Sequence, residues 1–390
     1  MRPPSSAAPE FGFSLVDDPL LRLQRLLRIA PRQGLGVVRR AVLLALLAWL
    51  PIAVWALLNR RWLASVPGEP LLSHFGVHVR CLVGIPLLVL ADATVTGILG
   101  RMVPFFVGSG VIPEGQRERF AAVLRGGERL RDSWLPWLAV AGLVTLAALT
   151  GNVAAAKLDT LNWAVEGRWL GFGGFWYVYV SKSIFAVLAL AWIWRLLLTG
   201  LLFRRIAALD LRLVPGHPDG VGGLSFLEYV PMAFASVSLA IAAVLAGGAA
   251  HDVIYHKVHV QAFLPIAVAA VVVLPGIVLL PLLAFGGALR RVRMGARLQY
   301  GALAGRFGGA LHARWLEGAA VEDGILQAPE LGPAADVATL YAQVTAMRPV
   351  PIGKTALLGA VAPVALPILL VTALEVPLKD TLLQLLKALM

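Results

Sequence analysis

The chain has 390 residues, 59% of them hydrophobic and only 14% charged, with a mean hydropathy of +0.80. Soluble domains are about half apolar and a quarter charged, so an ordinary water-soluble enzyme is excluded. The formal net charge of +12 reads as a membrane signal, because Arg and Lys collect in loops that face the cytoplasm; no nucleic-acid motif accompanies it. Cys81 is the single cysteine, which excludes an intrachain disulfide and a cysteine metal cluster.

Taken in chain order, residues 1–40 form a basic N-terminal segment. Asp18 and Pro19 have the character of an N-cap and a first helical residue. Leu20, Leu23 and Leu27 then alternate with Arg22, Arg25 and Arg28. This predicts an amphipathic helix, either lying on anionic lipid of the inner leaflet or packing as a short helix of the protein. The first apolar run begins at Ala41, too late for a cleavable signal, and is expected to stay as an anchor.

A crossing helix needs about 20 mostly apolar residues. Runs at 41–58, 81–100, 134–155, 183–203, 229–250, 258–289 and 355–374 predict an all-α integral membrane protein of about seven spans. The expected organisation is a bundle of six spans over 41–289, a cytoplasmic helical segment over 290–354, and a seventh span or re-entrant hairpin with an amphipathic tail over 355–390. Placing the N-terminus inside puts 24 Arg or Lys in inner loops against eight outside, the positive-inside pattern. Arg supplies 28 of the 34 basic residues; with the richness in Ala, Leu and Gly this suggests a bacterial inner-membrane protein. The sixth run carries Pro265, Pro275 and Pro281 and is expected to be kinked or broken.

Charges within spans are costly and frequently functional. Asp92 in the second span and Arg195 in the fourth fall at similar depths when counted from Cys81 and Ser183, about 16–18 Å. They are expected to pair directly or to face a shared wet cavity, with Thr96 one turn from Asp92; pairing as structural glue between helices is the alternative. In the loop after the fourth span, His217, Pro218, Asp219 and Gly220 make a turn signal followed by Gly222 and Gly223. His217 and Asp219 are candidates to hold a cation or a neighbouring loop, and a sharply specified turn explains the same residues. On the other side, His251, Asp252, His256 and His259 offer a metal-type donor set, the last three on one face if helical. A polar interfacial loop is the simpler reading. The aromatic loop over 158–179 fits an interfacial belt.

The stretch WIWRLLLTGLLFRRIAALDLRLVPGHPDGVGGLSFL, from Trp192 through Leu227, resembles a segment of bacterial multipass membrane proteins in which an Arg-rich helix precedes LDLRLVP and HPDxxGGLxFL. The resemblance implies a bacterial membrane protein and directs attention to His217, Asp219, Gly222 and Gly223; it implies no activity.

HExxH, GxGxxG, GxSxG and a complete phosphate loop are all missing from the sequence, so no catalytic residue and no cofactor is assigned beyond a divalent metal at the histidines. These features predict a homo-oligomeric channel or transporter for an ion or small solute, with Asp92, Thr96 and Arg195 as the pore. A scaffold or regulator holding a partner through its cytoplasmic loops is the second reading, and a metal-dependent membrane enzyme the third.

Overall fold

The computed structural model describes residues 11–63, 69–155, 159–166, 169–318 and 331–374. Nearly all of these are helical. A bilayer offers the backbone no water, so each crossing segment must satisfy its own N–H and C=O groups. A short helix α1 (Pro19–Leu26) leads into α2 (Val37–Leu58). Then come α3 (Phe75–Gly108), α4 (Arg117–Asp132), α5 (Leu135–Ala155), α6 (Phe172–Ala207), α7 (Ser225–Tyr255), α8 (Val260–Trp315), α9 (Leu331–Ala346) and α10 (Lys354–Thr372). Two strands of two residues each, Val165–Glu166 and Trp169–Leu170, pair antiparallel just before α6.

Six helices among the described residues, α2, α3, α6, α7, α8 and α10, are long and apolar enough to cross a membrane. The chain is therefore an all-α multipass membrane protein. The remaining expected span falls on α5, a 21-residue helix whose side chains from 148 onward lie outside the described residues. The segment expected as a span or a hairpin is one continuous helix, α10, in spite of Pro363 and Pro367. The expected amphipathic tail lies outside the described residues. In α8 the α-helix runs to Leu279, passes through a 3-10 stretch at Leu280–Phe285 that contains Pro281, and resumes from Gly286 to Trp315.

Packing follows the rule for helices in lipid, where small side chains let backbones approach and large apolar ones face outward. In α2, Ala41, Ala45, Ala48 and Ala56 are buried, while Leu43, Leu46, Leu50 and Leu57 are exposed. From the end of the bundle that holds α1, helices α2, α7 and α10 run to the far end, and α3, α6 and α8 return. At the near end Phe285 of α8 stacks on Phe106 of α3 and meets Phe203 of α6 at a tilt. At the far end His251 of α7 reaches the Ser73 carbonyl ahead of α3.

Helices α3 and α6 each pass through a π-helical turn after a first short α-helical stretch, at Arg80–Gly84 and Tyr177–Ser181. Such turns cost regular hydrogen bonding and occur often at functional sites. Both dock on α2 beside Pro51, which has no N–H to give the Leu47 carbonyl one turn back. The Trp176 indole donates to that carbonyl at 3.0 Å, and the Ser181 hydroxyl donates to Ala48 O at 2.6 Å.

Candidate metal centre and buried ionic network

Asp18 caps α1 by accepting the Leu21 amide at 3.0 Å, and its other oxygen takes Arg195 Nε at 2.9 Å and Nη2 at 2.8 Å. Arg195 Nη1 donates to Asp92 Oδ1 at 2.7 Å. Arg40 Nη1 lies 2.7 Å from Asp92 Oδ2, at an angle that makes the contact ionic rather than hydrogen-bonded. Arg40 Nε in turn donates to Gln24 of α1 at 2.6 Å. Two carboxylates and two guanidiniums thus alternate in a formally neutral row, none more than 2% exposed. The row ties α1 to α2, α3 and α6.

Thr96 does not join this row. It is exposed, and its hydroxyl turns back onto the Asp92 carbonyl at 2.7 Å. Because α3 and α6 begin at Phe75 and Phe172 rather than at Cys81 and Ser183, both charges lie nearer the α1 end than the apolar runs suggest. From those true starts the depths are about 26 Å for Asp92 and about 35 Å for Arg195.

The His217 loop is a compact anchor. Burial raises the Asp219 carboxyl, but the amides of Val221, Gly223 and Ser225 donate to it and hold it below the usual carboxylate range. His217 Nδ1 stands 2.9 Å from Asp219 Oδ1. Gly222 and Gly223 have φ of +66° and +95°, the left-handed region that glycine enters without penalty. Arg348, after α9, donates its amide to Gly220 O at 2.8 Å and its guanidinium to Asp219 O at 3.1 Å, and pairs with Glu228 at 2.8 Å. The turn therefore holds a neighbouring segment through backbone and charge.

The far end gathers donors from two connections. Pro70 leads a 3-10 turn, Leu71–Ser73, that sets His74 at the mouth of α3. His251 comes from the last turns of α7, and its Nδ1 lies 2.8 Å from the Ser73 carbonyl. A carbonyl can only accept, so Nδ1 carries a proton and Nε2 is the ring nitrogen left to face Glu69. That Nε2 lies 3.2 Å from Glu69 Oε2, and His74 Nε2 lies 3.7 Å from the same oxygen. All three atoms are buried, and none has a hydrogen-bond partner among the described residues. Two imidazole nitrogens facing one carboxylate oxygen call for a cation there, either a proton on a ring or a metal ion held by all three.

The spacing suits such a cation, since tetrahedral ligands at zinc distances sit about 3.3 Å apart. Glu69, His74 and His251 each present one ligand atom within 4.8 Å of the others, and His251, Asp252 and His256 form an overlapping group. The second oxygen of Glu69 bonds His256 Nε2 at 2.9 Å, an orienting contact of the kind that fixes metal ligands. Burial, with repulsion from His251, His256 and His78, holds His74 down at about 3, which keeps its ring neutral and free to ligate. His259 belongs to neither candidate ligand group among the described residues.

Sequence reasoning singled out His251, Asp252 and His256 but not Glu69 or His74, which lie in another connection. A signal was present: five of the seven histidines (His74, His78, His251, His256 and His259) flank the same end of the bundle. No protein-family model, curated protein or solved structure matches this chain.

Proposed function

We propose that this multipass membrane protein is metal-dependent, holding a divalent transition-metal ion at the far end of its bundle through Glu69, His74 and His251. What carries the proposal is the convergence on one point of three buried ligand atoms that have no hydrogen-bond partner among the described residues. Two imidazoles and a carboxylate are a donor set that suits zinc, and three protein ligands leave a fourth position for water or substrate. When bound, such an ion supplies a Lewis acid. The chain's own part is to hold the two rings and the carboxylate, with Ser73 fixing the His251 tautomer and His256 steadying Glu69.

Transport of an ion or small solute through Asp92, Thr96 and Arg195 draws less support. The two charges are satisfied by each other and by Asp18 and Arg40. Between the two ends Cys81, Ile85, Leu88 and Val89 of α3 are fully buried. The same proposal takes the N-terminus as cytoplasmic, on the arginine distribution, which puts the metal centre on the outer side of a bacterial inner membrane.

Metal content tests it. Full-length protein equilibrated with zinc and then desalted is expected to retain about one ion per chain. The double variant His74→Ala, His251→Ala is expected to retain none while still eluting as a folded species. Native protein that emerges metal-free would remove the proposal.

A further inference from the structure

Beside the histidine pair is a cavity of about 190 Å³ lined by His74, Arg80, Tyr177, Lys182, His251 and Asp252, among others. Arg80 and Lys182 come from the two π-helical regions. Arg80 donates to the Tyr177 hydroxyl, and the Lys182 ammonium stands 5.1 Å from the centre of the Tyr177 ring. Among the described residues neither cation has a carboxylate within ion-pair distance, whereas the buried charges Asp18, Arg40, Asp92, Arg131, Arg195 and Glu228 are each paired. Two half-buried cations sharing one aromatic ring are poised for an oxyanion, which would satisfy both through charge-assisted hydrogen bonds.

A second cavity of about 260 Å³ adjoins the first and shares Gly248 and Asp252 with it. Its walls are apolar, among them Leu245, Phe263, Ile266, Ala270 and Ile368, from α7, α8 and α10. A cationic chamber that shares the Gly248 wall with an apolar one matches a molecule with an anionic head and a hydrocarbon tail. Gly248 leaves open space at that shared wall, since a Cβ built there meets nothing within 4 Å.

We infer that the site takes an anionic amphiphile, its phosphate-type head on Arg80, Lys182 and the Tyr177 hydroxyl next to the metal centre, its chain in the groove beyond Gly248. The head-group position relative to the ion rests on the metal reading; the recognition of head and tail does not.

The test is equilibrium binding of radiolabelled octyl phosphate to full-length protein in non-ionic detergent, with inorganic phosphate and octanol as competitors and zinc content measured on the same samples. Octyl phosphate is expected to bind, with each competitor weaker by at least about tenfold. Lys182→Gln and Arg80→Gln are each expected to lose about tenfold in affinity for octyl phosphate, as befits one charge-assisted contact. Gly248→Leu, whose Cβ meets nothing within 4 Å, fills the space at the shared wall and is expected to abolish octyl phosphate binding and spare that of inorganic phosphate. Elution of these variants at the native position with an unchanged unfolding midpoint shows that they are still folded, whether or not zinc is bound.

Inorganic phosphate competing as well as octyl phosphate would overturn the tail, and octanol competing equally would overturn the head. Unchanged binding in Lys182→Gln and Arg80→Gln would overturn the assignment of the cations. Binding that follows this pattern in protein that takes up no zinc would uphold the amphiphile site and remove the metal reading alone.

Discussion

Asp92→Asn is expected to destabilise the folded protein by about 3–5 kcal/mol, the cost of leaving a buried charge without its partner. Among the described residues Asp92 is the only anion between these two guanidiniums, Arg195 at 2.7 Å and Arg40 at 2.7 Å. An amide in its place offers one acceptor oxygen and no charge, so two cations would remain in the packed interior with Asp18 alone to offset them. The same change loosens α1, because Arg40 and Arg195 are two of its side-chain anchors to the bundle, alongside the Arg22–Asp132 pair. Thermal or denaturant unfolding in detergent measures the loss. Thr96→Val, on the exposed face of the same helix, is expected to stay within about 0.5 kcal/mol of native. A protein that used Asp92 as a conducting group would behave otherwise, keeping its stability in Asp92→Asn while its ion flux in proteoliposomes changed.

The second large effect is stabilisation by metal. A ligand that binds only the folded state at 100 times its dissociation constant stabilises by about 2.7 kcal/mol. Zinc is therefore expected to raise the unfolding midpoint of native protein, and a chelator to reverse the rise. His251→Ala removes a ligand, and with it the shift should vanish. Asp252→Asn, which lies at the edge of the cluster, is expected to keep most of it. A zinc-induced rise of equal size in His251→Ala would place the ion elsewhere.

The fold class was legible because membrane helices write their solvent into composition. A run such as Ala41 to Leu58 has no soluble alternative, and α2 covers it. Helix limits were less legible. The helices α3 and α6 start six and eleven residues before Cys81 and Ser183, since polar groups such as His78, Arg80 and Lys182 interrupt the apolar signal where the helices carry π turns and line a polar cavity. Asp18 was readable as a cap from its own neighbourhood, yet its second role is not local: the oxygen left over from capping meets Arg195, 177 residues away.

The candidate metal centre shows the same limit. His251, Asp252 and His256 stand close in sequence and were visible as a group. Glu69 and His74 join them only because α3 and α7 pack side by side at the far end, and the Ser73 carbonyl that sets the His251 tautomer is supplied by that packing. The glycines at 222 and 223 were legible as turn residues, but their partner was not, since Arg348 arrives from the segment after α9.

X-ray absorption at the zinc edge, on metal-loaded full-length protein, tests the central claim most directly. The account predicts a four-coordinate ion with about two imidazole ligands at about 2.0–2.1 Å and the remainder oxygen, with the imidazole scattering lost in His74→Ala, His251→Ala. A shell of oxygen ligands only, or an imidazole signal that survives in the double variant, would contradict it.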